Sequence, residues 1–338
     1  MAKRVMRRTR PSPLARLGRV LYRLLVALSA VIVVLYLAVT FISQPPSTAD
    51  GNEAAGVLPS DSGAGVQQPD ANGRVRKEKT WTFLLAASDQ ASGNADTIMV
   101  GMYDTINQKV GLVSIPRDTL IAKKPYKINS MYHGGPEPLM EAVSDLLGIP
   151  IDHYVTIDIG GFKALVDAVD GIDFEVPVDM SYDDPMQDLH IHFSAGMTHL
   201  DGQEAMEVCR FRHNNSWEEQ VAYSDVERTQ TQQAVLSAIA GKVLSNPHKL
   251  GEYIQIFYDY VETDLSLGNV LWFAEPAVGF ELSTGLSTAT LPGDGTVTYK
   301  GYTYCYELYP EETLEIINEM INPYTTPITL DMTNIIQS

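Results

Sequence analysis

WTFLLAASDQASGNADTIMVGMYDTINQKVGLVSIP, residues 81–116, holds three apolar runs: Trp81 to Ala87, Thr97 to Tyr103 and Lys109 to Pro116. Each has the length and composition of a strand. Downstream the apolar period lengthens. Leu139, Val143, Leu146 and Leu147 recur at helix spacing before Gly148, and Phe162, Leu165, Val166 and Val169 do so before Gly171. A further strand, IDFEVPV, starts at Ile172. This alternation predicts an α/β domain with a mixed central sheet and helices on both faces, an α-β-α arrangement.

Outward from that core, the N-terminal region is of another kind. Eight of the 24 Lys and Arg residues and none of the 42 Asp and Glu lie before Gln44, so the rest of the chain carries 16 basic against 42 acidic residues, a net −26. So acidic a body argues against a general nucleic-acid binder. The uncharged run LLVALSAVIVVLYLAVTFIS would be about 30 Å long as a helix, enough to cross a bilayer. The basic cluster before it predicts a cytoplasmic N-terminus, with everything after it outside. Ser47-Thr48-Ala49 loosely resembles a signal cleavage site, but the apolar stretch exceeds a secretory core, so a retained anchor is expected. The expected divisions are a basic tail (1–23), a transmembrane helix (24–43), a flexible linker rich in Gly, Ser, Pro, Ala and Asp (44–79), a folded domain (80–325) and an irregular tail (326–338). The two cysteines, Cys209 and Cys305, would be permitted a disulfide outside the cell, and the sequence does not show whether they meet.

Candidate chemistry is scattered along the folded part. In MEVCRFRH, residues 206–213, a strand would put Arg210 and Arg212 on one face and Cys209 and Phe211 on the other. Two such cations repel unless an anion lies between them, the competing reading being a plain exposed face. A long helix starts near Ser224 or Asp225, with an inward stripe of Leu236, Ile239, Ala240 and Val243. The same face reaches Gln232 and Arg228 in its first two turns, which suits a helix start facing an anion or one protruding past the core. Asp89 and Asp96 flank the first loop of the sheet and could be turn formers or oxygen ligands of Mg²⁺. Arg117-Asp118 follows the third strand, either as a structural ion pair or as part of a site. His190, His192 and His199 are spaced too loosely for a firm metal site and read as surface histidines. Phosphate-binding GxxxxGK[ST] and GxGxxG loops, a G-x-S-x-G elbow and a zincin helix are all missing from the sequence.

Taken together, the ordered segments LLAASD, NADTIMV, VSIPRDT, YKINSMYHGG, LLGIPIDHYVTIDIGGFKALVDAVDGIDFEVP, HLDGQEAMEVCRFRH and YSDVERTQTQQ resemble the LytR-CpsA-Psr family over residues 80–325. Its members are membrane-anchored phosphotransferases that attach wall glycopolymers to peptidoglycan. The resemblance implies that Asp89 and Asp96 hold Mg²⁺ (or Mn²⁺), and that Arg117, Arg210, Arg212, Arg228 and Gln232 contact the diphosphate of a polyprenyl-diphosphate-linked glycopolymer. Asp118 would orient an arginine or take a proton, and Lys127 and Asn129 would support the site. It also implies an apolar cavity for the polyprenyl tail and a peptidoglycan hydroxyl as acceptor. The alternative is a non-catalytic envelope regulator or scaffold that binds such lipids or wall polymers. Three positions depart from the family pattern: Ala86-Ala87 replace a frequent glycine, Glu227 stands where a glycine precedes the helix arginine, and Thr231 stands where a second arginine is frequent.

Overall fold

The computed structural model describes residues 43–49, 69–70, 72–88, 93–216, 221 and 223–338. The run expected to cross the membrane, 24–43, lies outside them except for Ser43. Among the described residues no helix is long and apolar enough to cross a membrane.

The three opening runs form β1 (Thr80–Ser88), β2 (Ala95–Asp104) and β3 (Lys109–Ser114). With β4 (His153–Asp158), β9 (Val261–Thr263) and β10 (Leu286–Thr290) they build a mixed six-stranded sheet in the order β10-β3-β2-β1-β4-β9. The β1–β2 and β2–β3 pairs are antiparallel, whereas β1–β4 and β3–β10 are parallel.

Because side chains alternate along a strand, β2 shows both layers at once. Ile98, Val100 and Met102 face a core built with Leu139, Val143, Leu146 and Leu147 of helix α1 (Pro136–Leu147). Gly148, at φ 68°, ends that helix in the left-handed conformation glycine tolerates best. On the opposite face Thr97 bonds to the long helix and Tyr103 meets the ring of Phe273. Helices thus cover both faces, as the alternation of elements predicts.

A second core lies beside the sheet. It joins α2 (Ile159–Ala168), α3 (Gly202–Arg210), α4 (Asp225–Ser245) and α5 (Leu250–Tyr260) to two small strand pairs. One pair is β5 (Ile172–Val176) with β8 (Gly196–Leu200), so the strand from Ile172 is present but stands outside the central sheet. The other is the hairpin of β6 (Met180–Asp184) and β7 (Leu189–Phe193). The helix α6 (Leu267–Ala277) and a last hairpin, β11 (Gly293–Tyr299) and β12 (Tyr302–Leu308), complete the domain.

The stretch 206–213 is corrected: it is not a strand. α3 ends at Arg210, and Phe211 turns extended with φ −57° and ψ 139°. The signal lies upstream, where Asp201 and Glu204 close a reciprocal capping box and Ala205, Met206 and Val208 are buried. The apparent two-residue alternation came from the residues that straddle the helix end.

Parts of the stretch expected to be a flexible linker are seated on the domain. Trp81 Nε1 donates to Pro46 O at 3.3 Å, and the Ala49 amide donates to Asp152 Oδ1 at 2.8 Å. Asp152 also accepts from Arg76, from the Thr82 amide at 2.8 Å and from the Thr82 hydroxyl at 3.0 Å. In the C-terminal tail, otherwise irregular, Ile328 is buried and the Asn334 amide bonds to Asp145 O at 3.2 Å. The Arg76 and Asp152 side chains are 2% and 0% exposed, so removing one partner strands a buried charge. Asp152→Ala is expected to cost about 3–5 kcal/mol of unfolding free energy, read by urea denaturation.

Candidate functional site

The site lies where β2 begins and β3 ends, at the sheet edge opposite the start of β1. Asp96 is the second residue of β2. Arg117 follows β3 and pairs with Asp96 through Nη1. Arg117 is steadied by its backbone, whose carbonyl accepts from the Asn129 amide at 3.1 Å. From the neighbouring layer α3 delivers Arg210 on its last residue. Phe211, 0% exposed, packs its ring 5.2 Å from Tyr223 and pins the backbone between Arg210 and Arg212. Arg228, 5% exposed, and Gln232 come from the first two turns of α4.

These residues meet in one cavity of about 330 Å³, which Asp96, Arg117, Arg210, Arg212, Arg228 and Gln232 all line. The Gln232 amide joins three elements there: its Nε2 donates to Cys209 O at 3.2 Å and its Oε1 accepts from Thr97 Oγ1 at 3.1 Å. Four guanidinium groups around one opening repel one another, so the arrangement suits a ligand with several negative oxygens.

Three expected residues stand outside the lining. Asp118 pairs with Lys127 at 3.1 Å rather than with an arginine, and Lys127 Nζ also donates to Tyr304 O at 3.0 Å. Asn129 acts through its backbone amide. Asp89 lies outside the described residues. Conversely, Tyr182, Gln187, Leu189, Cys209 and His213 line the cavity without having been expected there. Gln187 accepts from Arg210 and donates to Asp184 Oδ2 at 2.6 Å, so the turn of the β6–β7 hairpin holds that arginine. No local signal marks Gln187, whereas His213 adjoins Arg212 in the sequence. His213 Nδ1 lies 3.1 Å from Asn214 O, which places a ring proton on Nδ1.

The remaining histidines are surface groups. His190 and His192 share Asp183 Oδ1 at 2.6 and 3.2 Å, and His199 pairs with Asp173 at 2.8 Å. Among the described residues no group of three or more His, Cys, Asp or Glu is placed to hold a metal.

Two departures from the family pattern find structural roles. Glu227 is the third residue of α4 and closes its capping box, accepting from the Ser224 amide at 2.7 Å and from its hydroxyl. Those bonds, the hydroxyl's foremost, hold its carboxyl below the usual range. Thr231 accepts the Tyr223 hydroxyl at 2.8 Å.

The architecture is that of an α/β protein with an arginine-lined cavity at one end of its central sheet. The chain belongs to the LytR-CpsA-Psr family: the sequence model of the LytR_cpsA_psr family matches residues 52–322. TagV of Bacillus subtilis, a polyisoprenyl-teichoic acid-peptidoglycan teichoic acid transferase, is 31% identical over 252 residues, spanning 70% of this chain and 62% of TagV. LcpA of Corynebacterium glutamicum, a cell wall biosynthesis protein, is 30% identical over 302 residues, spanning 73% of this chain and 56% of LcpA. The match thus spans less than two thirds of either relative's length. The crystal structure of B. subtilis TagV matches with a TM-score of 0.60 at 28% identity, over 71% of this chain and 95% of that one.

Cys209 and Cys305 are both free thiols. They belong to different packing clusters. Burial pushes the Cys209 thiol up to about 12, so it stays protonated at neutral pH and is no nucleophile. Burial also raises the Tyr223 hydroxyl to about 12. In the unfolded chain these groups ionise near 9.0 and 10.0. Their contribution to stability is therefore whole below pH 9 and is lost as pH rises through 9 to 12. Denaturation midpoints measured from pH 7 to 11 should fall above pH 9, and less steeply in Cys209→Ala and Tyr223→Phe.

Proposed function

We propose that the protein is an extracytoplasmic phosphotransferase that moves a glycopolymer from a polyprenyl-diphosphate carrier to a peptidoglycan hydroxyl. The observation that carries this reading is the cavity itself: four arginines converge in a chain whose body is otherwise strongly acidic. The names of TagV and LcpA support the same reading.

In this mechanism the arginines bind the diphosphate oxygens in pairs and gather the charge that develops on the leaving phosphate. Arg117 and Arg210 are already aimed, by Asp96 and Gln187 respectively. The acceptor oxygen forms a bond to the phosphorus nearer the sugar, the P–O bond to the distal phosphate breaks, and polyprenyl phosphate leaves. His213, which lines the cavity, takes the hydroxyl proton. Gln232 positions the end of α3 through Cys209 O.

Asp96 offers the carboxylate oxygen that Mg²⁺ prefers, and one or two carboxylates plus substrate phosphate oxygens are its usual set. Asp96, with Asp89 as the expected second, would hold the ion, whose role when bound is to neutralise diphosphate charge. Arg117 competes for the same carboxylate.

The apolar tail would follow the sheet face that Thr97 shares. Phe83 and Leu85 are half-buried, Phe83 meets Phe273 at 5.4 Å, and a side chain on Gly101 would meet Leu85 at no closer than 3.9 Å. The run 24–43 serves as a single-pass anchor with the N-terminus in the cytoplasm, which confines enzyme and lipid-borne donor to one plane.

The test incubates the protein with a polyprenyl-diphosphate-linked oligosaccharide and uncrosslinked glycan strands, with and without Mg²⁺. Arg210→Ala, Arg212→Ala and Arg228→Ala should each lower the rate of glycan-phosphate-glycan formation about 10²–10³-fold. Asp96→Asn should weaken the Mg²⁺ dependence, and His213→Gln should lower the transfer rate while leaving donor binding intact. Donor binding without product under every metal condition would overturn the enzyme reading in favour of a non-catalytic binder.

A further inference from the structure

The chain immediately after the apolar run is fastened to the domain rather than loose. The Gln44 amide donates to Gly268 O at 3.2 Å, and Asn269 Nδ2 donates to Gln44 O at 3.0 Å. Next come Pro46 O under Trp81 Nε1, Ser47 O at 2.9 Å from His153 Nε2, and the Ala49 amide on Asp152. Five hydrogen bonds over six residues leave no slack. Gln44 is one residue beyond the expected span, so at about 3.8 Å per residue its contacts on α6 lie next to the point where the chain leaves the bilayer.

The end of the domain so fastened is unusual. α6 is LGNVLWFAEPA, apolar nearly all round, yet among its residues only Gly268 is buried. A helix of this composition is normally enclosed by protein. At 11 residues it is about 16 Å long, too short to span a membrane but suited to lying in its interface. It runs from the fastening point at Gly268 to the β2–β3 turn, where Ile106, Trp272 and Val278 line one open groove together with the polar Lys79, Gln108 and Glu275. Leu267, Ile106 and Val278 are 38%, 54% and 82% exposed. Thr80 pairs with Asp104, so the start of β1 and the β2–β3 turn stand at this same end. Aliphatic residues with a tryptophan and a lysine match the boundary between hydrocarbon and head groups.

We propose that Gln44–Ala49 is a strap that clamps the domain onto the outer leaflet, with α6 and the β2–β3 turn as the bilayer-contacting surface. The occupant of this face is the lipid surface that holds the chain's own residues 24–43. The proposal rests on the anchor in the reading above and not on its chemistry. It sets the arginine cavity facing away from the membrane, separated from the leaflet by the length of β1, roughly 30 Å for its nine residues.

The test reconstitutes the full chain in phosphatidylcholine-phosphatidylglycerol vesicles with a bimane label on Ile106→Cys, Val278→Cys or Met186→Cys. Met186, 97% exposed, sits in the β6–β7 turn by the cavity. The chain without an added cysteine sets the background from Cys209 and Cys305. Spin labels carried near the lipid head groups should quench positions 106 and 278 at least threefold more than position 186. Inserting twenty Gly and Ser residues between Ser43 and Gln44 should leave flotation with the vesicles intact and at least halve that quenching. A floating chain with equal quenching at all three sites, or quenching indifferent to the insertion, overturns the clamp. A chain that does not float overturns the anchor and the clamp together. Transfer activity is measured separately, so a clamped but inactive protein would count only against the proposed chemistry.

Discussion

The carboxylate of Asp152 is the constraint on which the architecture turns. A carboxylate with no exposed side-chain surface survives in its ionised form only if its oxygens are well supplied with donors. Asp152 gathers Arg76, both polar groups of Thr82, and the Ala49 amide. It thereby joins the entry to β1, the entry to β4 and the segment that precedes the domain. Parallel pairing of β1 with β4 needs their starts held together across 70 residues of chain. Loop closure over that length is entropically opposed, and a buried network offsets it at the one place where register has to be set.

At the other end of the same strands the electrostatic problem is inverted. Four arginines share a cavity, and the supports of two of them differ in kind. Asp96 takes Arg117, and the Gln187–Asp184 chain steadies Arg210. A neutral amide positions a guanidinium without cancelling its charge, so the cavity keeps its attraction for an anion. The acidic balance of the rest of the chain sharpens the contrast, because it disfavours a substrate with several negative oxygens while this opening attracts one.

The sheet and its main helices were legible because their apolar periods are long and end in glycines whose geometry is constrained, as at Gly148 and Gly171. The long helix was legible from its capping residue and apolar stripe, although Val235 and Ile239 are its buried apolar residues and Leu236 is only half-buried. The segment holding Arg210 and Arg212 was misread because residues 209–212 alternate like a strand while the helix ends among them. The deciding signal, the Asp201–Glu204 box, lay outside the window. The arginines themselves could be named through the family resemblance, but their supports could not. Gln187 reaches Arg210 only because the β6–β7 hairpin folds over the cavity. Asp118 and Lys127 pair with each other because Tyr304 and Tyr306 draw that loop toward β12. Such choices are made by tertiary placement and leave no periodic trace.

The two ends of the sheet together impose a transport problem on the proposed reaction. A lipid diphosphate starts in the leaflet, and the arginine cavity stands the length of β1 from the strapped end. Each methylene lifted into water costs about 0.8 kcal/mol, so a bare ascent of a long prenyl tail is forbidden. An ascent along protein is not, provided that one continuous apolar surface joins the ends. The face bearing Phe83, Leu85, Gly101 and Tyr103 is the proposed surface, with Phe273 of α6, in contact with Phe83 and Tyr103, as its proposed entrance. On this face Trp81 and Met99 are buried while Phe83, Leu85 and Tyr103 are half-buried, and the half-buried rings and side chains are where a guest tail would lie. Fixing the domain upright then aligns the entrance with the leaflet and leaves the cavity open to an acceptor in the wall.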